Sequence, residues 1–270
     1  MREVTKMELS MLTVVKRWTA VASALCGLLA FTAPAARAIT CEVTPTEIPI
    51  TISYHGAKLT ITGQSAPNDD LILKISSKPH DTAMKYYAKV GGLVWMKKGG
   101  LEFKDVPGVY LVNTTADMNL ILSDTERGQY QLGYDAMAKA TRIEYDKEQP
   151  AERKWFDEFT RFKEKEMIYN IQQGTITRRH GEKGNTFEII VNWPYQAPPG
   201  IYNVHLLAVN NGKVVDKAAT TFEVKRVGII AALSKMAVDQ AALYGIMSVL
   251  IALAAGSAVG AIFKKGGGSH

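Results

Sequence analysis

The chain has 270 residues, 47% of them hydrophobic, and a formal net charge of +6 at pH 7. This charge does not indicate nucleic-acid binding, because basic pairs such as Lys97-Lys98 and Arg178-Arg179 lack the interleaved aromatic residues or the groove-reading helix that such binding requires. Roughly 200 residues remain between the two apolar ends, which is enough for two small domains.

The first 38 residues have the pattern of a cleaved export signal. Lys16 and Arg17 precede an apolar run, Trp18–Phe31, and Ala36-Arg37-Ala38 puts small residues at the −3 and −1 positions of a signal-peptidase site. We expect residues 1–38 to be removed. The alternative is an uncleaved anchor, which would give the chain a second membrane span.

Cysteine usage limits the covalent chemistry of the chain. Cys26 lies in the predicted signal, so Cys41 is the one thiol of the predicted mature protein and an internal disulfide is excluded. We predict that Cys41 is a free thiol on the first strand, and an intermolecular disulfide is the alternative. The sequence has no Cys-x-x-Cys motif for haem attachment or redox exchange, and we expect no cofactor.

Residues 39–124 show short strand patterns at regular intervals with no interleaved helix. The segments 48–54 and 58–63 alternate apolar and polar positions on either side of His55-Gly56 and are predicted to form a hairpin. Trp95 is predicted to fill the core. The other predicted strands are 71–76, 93–96, 101–103, 108–114 and 120–122. This pattern predicts an antiparallel β-sandwich of immunoglobulin-like type.

Residues 125–227 are predicted to form a second sandwich-like domain with a helical insertion. The insertion spans about residues 151–170, where Trp155, Phe156, Phe159 and Phe162 recur at helical spacing. This aromatic stripe is predicted to pack on the adjacent β-domain, and docking on a membrane partner is the alternative. Strand patterns then resume at 174–178, 186–193, 200–209 and 218–225.

The C-terminal end is predicted to be a transmembrane anchor. Residues 241–263 carry no charge and span roughly 35 Å as a helix, enough to cross a hydrocarbon core of about 30 Å. Lys264 and Lys265 follow, so the positive-inside rule places residues 264–270 in the cytoplasm. Residues 228–240 are predicted to be a juxtamembrane segment lying in the headgroup region. These patterns indicate a single-pass protein of the bacterial inner membrane with periplasmic β-domains.

The predicted span has a face on which another helix could pack. Ala252, Gly256 and Gly260 lie four residues apart, and such a stripe of small residues allows close approach of a second helix. These three residues are our candidates for a helix–helix interaction. Composition alone also produces such stripes in spans rich in alanine and glycine.

Catalytic and metal-binding patterns are absent from the sequence. The histidines of the predicted exported region, His55, His80, His180 and His205, are not paired at metal-ligand spacing, although folding could bring them together. There is no Gly-x-Ser-x-Gly elbow and no phosphate-cradling glycine loop. We therefore predict no catalytic, cofactor-binding or metal-ligating residues, and no enzymatic activity.

Several motifs resemble those of a known family. The segment 89–122 contains Gly92, Trp95, Phe103, Val106-Pro107 and Tyr110 in the order and spacing of a family of alphaproteobacterial-type transmembrane proteins of about this length. Further similarities are Pro199–Tyr202, the Asn-Gly-Lys turn before the last strand, and Leu243-Tyr244-Gly245 at the start of the span. The resemblance implies an exported, membrane-anchored protein, sometimes encoded near sulfite-exporter-like permeases. It implies no catalytic residues.

Two classes of function fit these observations. The favoured one is an accessory or assembly protein without catalytic activity that docks on an integral membrane partner, such as a sulfite-exporter-like permease. The alternative is a periplasmic module that binds or senses a ligand or a metal. Two or more histidines within about 5 Å of a common point would favour the alternative.

Overall fold

The computed structural model describes residues 39–146, 155–181 and 184–266. The predicted export signal and the first residues of the predicted helical insertion, 151–154, lie outside these ranges. The described residues form strands β1 (Glu42–Thr44), β2 (Glu47–Ile50), β3 (Ala57–Ser65), β4 (Asp70–Ser77), β5 (Pro79–Val90), β6 (Val94–Pro107), β7 (Tyr110–Thr114), β8 (Ile143–Tyr145), β9 (Tyr169–Gln172), β10 (Thr177–Gly181), β11 (Gly184–Trp193), β12 (Gly200–Asn210) and β13 (Lys213–Arg226). The helices are α1 (Met118–Ile121), α2 (Asp124–Tyr130), α3 (Tyr134–Ala140), α4 (Trp155–Lys165), α5 (Gly228–Asp239) and α6 (Ala241–Gly266).

The strands pair into two large sheets and one small one. The four-stranded sheet has the order β1-β3-β11-β10, the six-stranded sheet has the order β2-β13-β12-β4-β7-β9, and the small sheet has the order β5-β6-β8. Neighbours are antiparallel except for β2 with β13 and β7 with β9, which are parallel. The described part of the chain is therefore mainly β, as the sequence predicts.

Side chains of the two large sheets meet in one core. The ring of Trp193 on β11 lies 4.5 Å from that of Tyr202 on β12 and 4.9 Å from that of Phe222 on β13, centroid to centroid. Strand β12 is central, and the consecutive residues Leu206–Val209 are all buried. A run without alternation is expected where both faces of a strand are covered.

The outer face of the six-stranded sheet is covered by the segment that contains α1, α2 and α3. Lys74 on β4 donates from Nζ to the carbonyl of Tyr130 at 2.7 Å, and the Tyr110 hydroxyl on β7 donates to the carbonyl of Gln131 at 3.1 Å. The same hydroxyl accepts the Gly133 N–H at 2.9 Å. These bonds satisfy polar groups that burial would otherwise leave unpaired.

The predicted division into two sandwich domains, 39–124 and 125–227, does not match the strand pairing. Strand β11 pairs with β3 along nine residues, and β12 pairs with β4 along eight, so each large sheet takes strands from both ranges. The sequence pattern identifies strands but carries no information on which distant strands pair, because alternation is a local property.

Two local predictions are also wrong. Segments 48–54 and 58–63 do not form a hairpin, because β2 pairs in parallel with β13 while β3 pairs with β1 and β11. Residues 120–122 are not a strand, because Asp117 caps helix α1 by accepting the Asn119 N–H at 2.8 Å. An aspartate at this position favours a helix start over continued strand.

The aromatic stripe of the insertion packs on the protein's own β-structure. Trp155, Phe156 and Phe159 on α4 are buried, and Phe159 stacks on Phe103 of β6 with centroids 4.4 Å apart. Phe162 remains 44% exposed. This confirms the predicted packing of α4 on the adjacent strands.

Strands β5 and β6 form a long hairpin. Among the described residues, the base of this hairpin is the part that packs on the rest of the fold. Leu101, Phe103 and Val106 at the base are buried, whereas all ten residues from Lys89 to Lys98 are exposed. Trp95, predicted to fill the core, is 62% exposed near the turn. The sequence did not indicate β5. The predicted strand 93–96 is not in the core, because Leu93 belongs to the turn and Val94, Trp95 and Met96 form the outer end of β6.

The two ends of the β-domain are joined near β13. The Val227 N–H, where the chain leaves β13, donates to the Ile50 carbonyl of β2 at 3.1 Å. At the beginning of the described chain, Ile39 is buried and its backbone N–H donates to Oδ2 of Asp216 on β13 at 2.7 Å. Strand β13 therefore contacts both the first described residue and the exit toward the C-terminal helices.

We predict that Gly63→Ala destabilises the β-domain. A Cβ at Gly63 would lie 1.9 Å from the Thr40 carbonyl oxygen and 2.6 Å from the Phe187 ring, so backbone has to move. We expect the free energy of unfolding to fall by about 1–3 kcal/mol, as for other overpacked sites. Thermal unfolding of the detergent-solubilised chain, followed by near-UV circular dichroism, measures this effect.

Gly128→Ala is the matched control. No heavy atom lies within 4 Å of a Cβ at Gly128, which is in helix α2. Alanine is the better helix former, so this variant should be as stable as the parent or up to about 1 kcal/mol more stable. Equal stability of both variants would contradict the close packing of β1, β3 and β11.

Candidate membrane-docking site

Helix α6 is an apolar rod with no covering protein among the described residues. Ala241–Phe263 has a mean hydropathy of 2.3, and all 23 residues are exposed. This length and composition match those of a membrane span. It is also the one such helix in the described part of the chain. The predicted anchor is therefore present as a continuous helix.

Helix α5 precedes α6 and is separated from it by a break at Gln240. The backbone of Gln240 has φ −137° and ψ 51°, outside the helical region, while its N–H still bonds the Met236 carbonyl at 2.9 Å. Tyr244 then bonds back to Gln240 at 3.0 Å and starts the next helix. Ile229 and Val238 on α5 are 63% and 81% exposed. The predicted juxtamembrane segment is thus a separate short helix with exposed apolar side chains.

The three candidate residues for helix–helix contact lie along α6. Ala252, Gly256 and Gly260 are all exposed, and a Cβ at either glycine would meet no atom within 4 Å. Ser248 continues the four-residue spacing toward the N-terminus, and its hydroxyl donates to the Tyr244 carbonyl at 2.8 Å. The stripe of small residues on this face therefore runs from Ser248 to Gly260, one residue longer than predicted from the sequence.

The histidines whose side chains are described have different neighbours. His55 Nδ1 contacts the Ser53 carbonyl at 2.7 Å, and His80 lies beside Lys78 and Gly108. His205 stands opposite Lys74 across β12 and β4. Burial lowers the pKa of His205, and the charges of Lys74 and Lys217 lower it further. Within residues 39–146, 155–181 and 184–266, no three His, Cys, Asp or Glu side chains form a metal-binding group.

A groove of about 470 Å³ lies beside β7 and the edge strand β9. Its polar lining includes Asn113, Glu164 and Asn192, and its rim carries Tyr195, which is 57% exposed. Trp193 lines the groove, and its buried indole N–H has no acceptor among the described residues. A volume of this size falls within the range of small-molecule sites. No sequence signal indicated the groove, because its residues come from four separate segments of the chain.

Cys41 is the free cysteine of the described chain and is partly buried just before β1. Burial raises the pKa of its thiol from 9.0 to about 11, with a smaller contribution from Glu42. Thiolate is the reactive form of cysteine, so this environment suppresses reactivity near neutral pH. The geometry favours the predicted free thiol over an intermolecular disulfide.

The folded β-structure and the exposed apolar helix together define a membrane protein with a β-domain and one C-terminal candidate span. Comparison of sequences agrees with this class. The chain belongs to the family described as "Putative transmembrane protein (Alph_Pro_TM)", whose sequence model matches residues 38–265. The resemblance found in the sequence is thus confirmed. A search of curated proteins found no match.

We predict slow, strongly pH-dependent alkylation of Cys41. A pKa raised by about two units leaves roughly 100-fold less thiolate at pH 8 than in the unfolded chain. The iodoacetamide reaction of a Cys26→Ser variant should be slower by that factor in the native state and have its midpoint near pH 11. The raised pKa also makes the free energy of unfolding depend on pH. The contribution of the protonated Cys41 thiol is fully present below about pH 9 and is lost as the pH rises toward 11. Equal rates in native and urea-unfolded protein would contradict the described burial.

Proposed function

We propose that this protein is a membrane-anchored accessory or assembly protein of the bacterial inner membrane without catalytic activity of its own. Its β-domain faces the periplasm, residues 264–270 face the cytoplasm, and it docks on an integral membrane partner, such as a sulfite-exporter-like permease. The single observation that carries the proposal is α6, an apolar helix of membrane length whose small-residue face is open along its whole length.

The open face of α6 supports helix–helix docking for a physical reason. In lipid, apolar side chains gain nothing from burial against each other, so association depends on close packing and on hydrogen bonds. Small residues at Ala252, Gly256 and Gly260 let a second backbone approach. The hydroxyl of Ser248 is already bonded within its own helix, so we expect close packing rather than a hydrogen bond to hold a second helix on this face.

The orientation follows from charge near the span. Lys264 and Lys265 come directly after the last apolar residue of the span. On the preceding side, α5 carries one lysine, Lys235, and one aspartate, Asp239. Basic residues close to the end of a span favour retention in the cytoplasm. The lysine pair directly at the end of the span therefore supports a cytoplasmic C-terminus, and the predicted export signal supports a periplasmic β-domain.

We also infer that the two large sheets form one immunoglobulin-like unit rather than two. The order β1-β3-β11-β10 corresponds to strands A-B-E-D of the variable type, and β13-β12-β4-β7 corresponds to G-F-C-C′. Strand β9 occupies the position of C″ but runs parallel to β7. Strand β2 lies beside β13 at the edge. The hairpin β5-β6 is then an insertion between C and C′. Such sandwiches present inserted loops and edges to partners without needing a reactive centre.

The groove beside β7 and β9 supports a second candidate, a periplasmic ligand-binding module. Its polar lining, which includes Asn113, Glu164 and Asn192, would favour a small polar molecule. Native mass spectrometry of the solubilised chain discriminates between the candidates. A bound small molecule that is lost from Tyr195→Ala would favour the ligand-binding module.

We predict that Gly256→Leu combined with Gly260→Leu removes partner binding. Two leucine side chains on the open face keep a second helix at a distance. The measurement is chemical crosslinking in native membranes, followed by purification and identification of the attached protein. We expect the yield of partner to fall at least about tenfold, which is equivalent to about 1.4 kcal/mol of binding free energy. The matched control, Ala254→Leu with Ala258→Leu, places the same groups on the opposite face of α6 and should leave the yield unchanged. Unchanged yield with the glycine variants would count against helix docking, and capture of no partner by the parent chain would remove its main support.

A further inference from the structure

The outer half of the β5-β6 hairpin is an amphipathic ribbon on which no other described strand packs. Strand β8 pairs with Leu101–Phe103 of β6, and within residues 39–146, 155–181 and 184–266 no strand pairs with either edge of the ribbon beyond that point. The ribbon extends about 17 Å from the pair Tyr86–Gly99 to the turn, at 3.4 Å per residue. An isolated two-stranded hairpin is marginally stable in water, so a ribbon of this length calls for a stabilising surface.

The turn presents apolar groups at the far end. Gly91 and Gly92 have φ of 60° and 76°, and the Leu93 N–H bonds the Val90 carbonyl at 3.3 Å. Positive φ at both central residues is the geometry of a tight hairpin turn that favours glycine. A Cβ at either glycine would meet nothing within 4 Å, so the backbone angle, not crowding, explains the residue choice. Leu93 next to this turn is 86% exposed.

The register sorts the remaining side chains onto two faces. The pairs Val90–Val94 and Ala88–Met96 share one face, which is entirely apolar. The pairs Lys89–Trp95 and Tyr87–Lys97 share the other, which alternates aromatic and basic groups. The Lys89 ammonium lies over the Trp95 ring, 5.6 Å from its centroid, which is within the range of a cation–π contact.

The charge of this segment is uniformly positive. Residues 82–101 contain Lys85, Lys89, Lys97 and Lys98 and no aspartate or glutamate. The acids near its base are Asp81 and Glu102, which Lys104 binds at 2.9 and 2.7 Å, and Asp146, whose Oδ1 accepts the Gly100 N–H at 2.7 Å. Basic groups set behind an apolar tip, with tryptophan and tyrosine beside them, match the interface of a bilayer that contains anionic lipids.

We propose that the tip of the β5-β6 hairpin inserts into the headgroup region of an anionic bilayer and gives the protein a second membrane contact besides α6. Leu93 and Val94, next to the turn, reach the acyl boundary, Trp95 and Tyr87 lie among the headgroups, and the lysines contact phosphate. The open ribbon edges limit the depth, because unpaired N–H and C=O groups cannot enter hydrocarbon. This contact needs lipid alone and does not depend on the partner proposed above, so either proposal can fail without the other.

The test measures where the tip lies in full-length protein reconstituted into vesicles. A Leu93→Cys variant in a Cys26→Ser, Cys41→Ser background is labelled with the environment-sensitive fluorophore NBD. The vesicles contain phosphatidylcholine with about 30% phosphatidylglycerol, an anionic lipid, and a second set contains phosphatidylcholine only. Quenching by doxyl-labelled lipid reports contact with the bilayer, and quenching by aqueous iodide reports exposure to water. Leu93 is far from any buried contact, and thermal unfolding checks that the variant folds.

Leu120→Cys is the matched control, because Leu120 on α1 is a similarly exposed leucine at 83%. We expect the label at position 93 to be quenched by doxyl lipid at least about fivefold more strongly than the label at position 120. Replacing Lys97 and Lys98 by glutamine should weaken the contact roughly 25-fold in anionic vesicles, since each lysine near such a surface contributes about fivefold. A smaller effect is expected without phosphatidylglycerol.

Two results would overturn the proposal. Equal quenching of both labels by iodide in anionic vesicles would show that the tip stays in water. The label at position 93 could instead be protected from iodide without being quenched by doxyl lipid, which would mean that protein covers the tip. If that protection persists in dilute detergent, the covering protein is a second copy of the chain.

Discussion

The pairing of the first half of the chain with the second determines the position of every other element. Strands β3 and β4 come from the first half and pair with β11 and β12 from the second. Because β12 is buried on both faces, its pairing with β4 fixes the centre of the larger sheet. The hairpin, the covering helices and the exit toward the membrane all leave from this framework. Such long-range contacts make the domain a single cooperative unit, in which one half has no core of its own.

The sequence predicted those elements whose signal is local. The apolar span, the juxtamembrane helix, the aromatic helix and most strands follow from periodicity over about 5–20 residues, which neighbouring residues alone determine. The pairing of strands could not be predicted from the sequence. The sequence pattern around Ile48 is the same whether β2 forms a hairpin or, as observed, pairs in parallel with β13. The groove beside Trp193 was missed for the same reason, since separate strands create it. The candidate stripe on α6 was predictable because one helix carries all of it.

Trp95 shows a different limit of sequence analysis. An alternating apolar strand has the same pattern in a core as on a ribbon that faces a membrane, so the aromatic residue alone indicated burial. The informative signals were the Gly91-Gly92 turn and the absence of acids among the surrounding lysines. Both lie outside the strand itself. An apolar β-segment flanked only by lysines is therefore better interpreted together with the anchor of the same chain than as part of a sandwich core.

The contact between Ile39 and Asp216 links processing of the chain to its stability. Ile39 follows the predicted cleavage site, its side chain is buried, and its backbone nitrogen is 2.7 Å from the Asp216 carboxylate. Cleavage after residue 38 turns that neutral amide into an α-ammonium group. The existing hydrogen bond then becomes an ion pair between a new chain terminus and β13, and charge-assisted bonds of this kind are stronger than neutral ones. If the chain is cleaved at the predicted site, the folded domain gains this ion pair and should be more stable than its precursor.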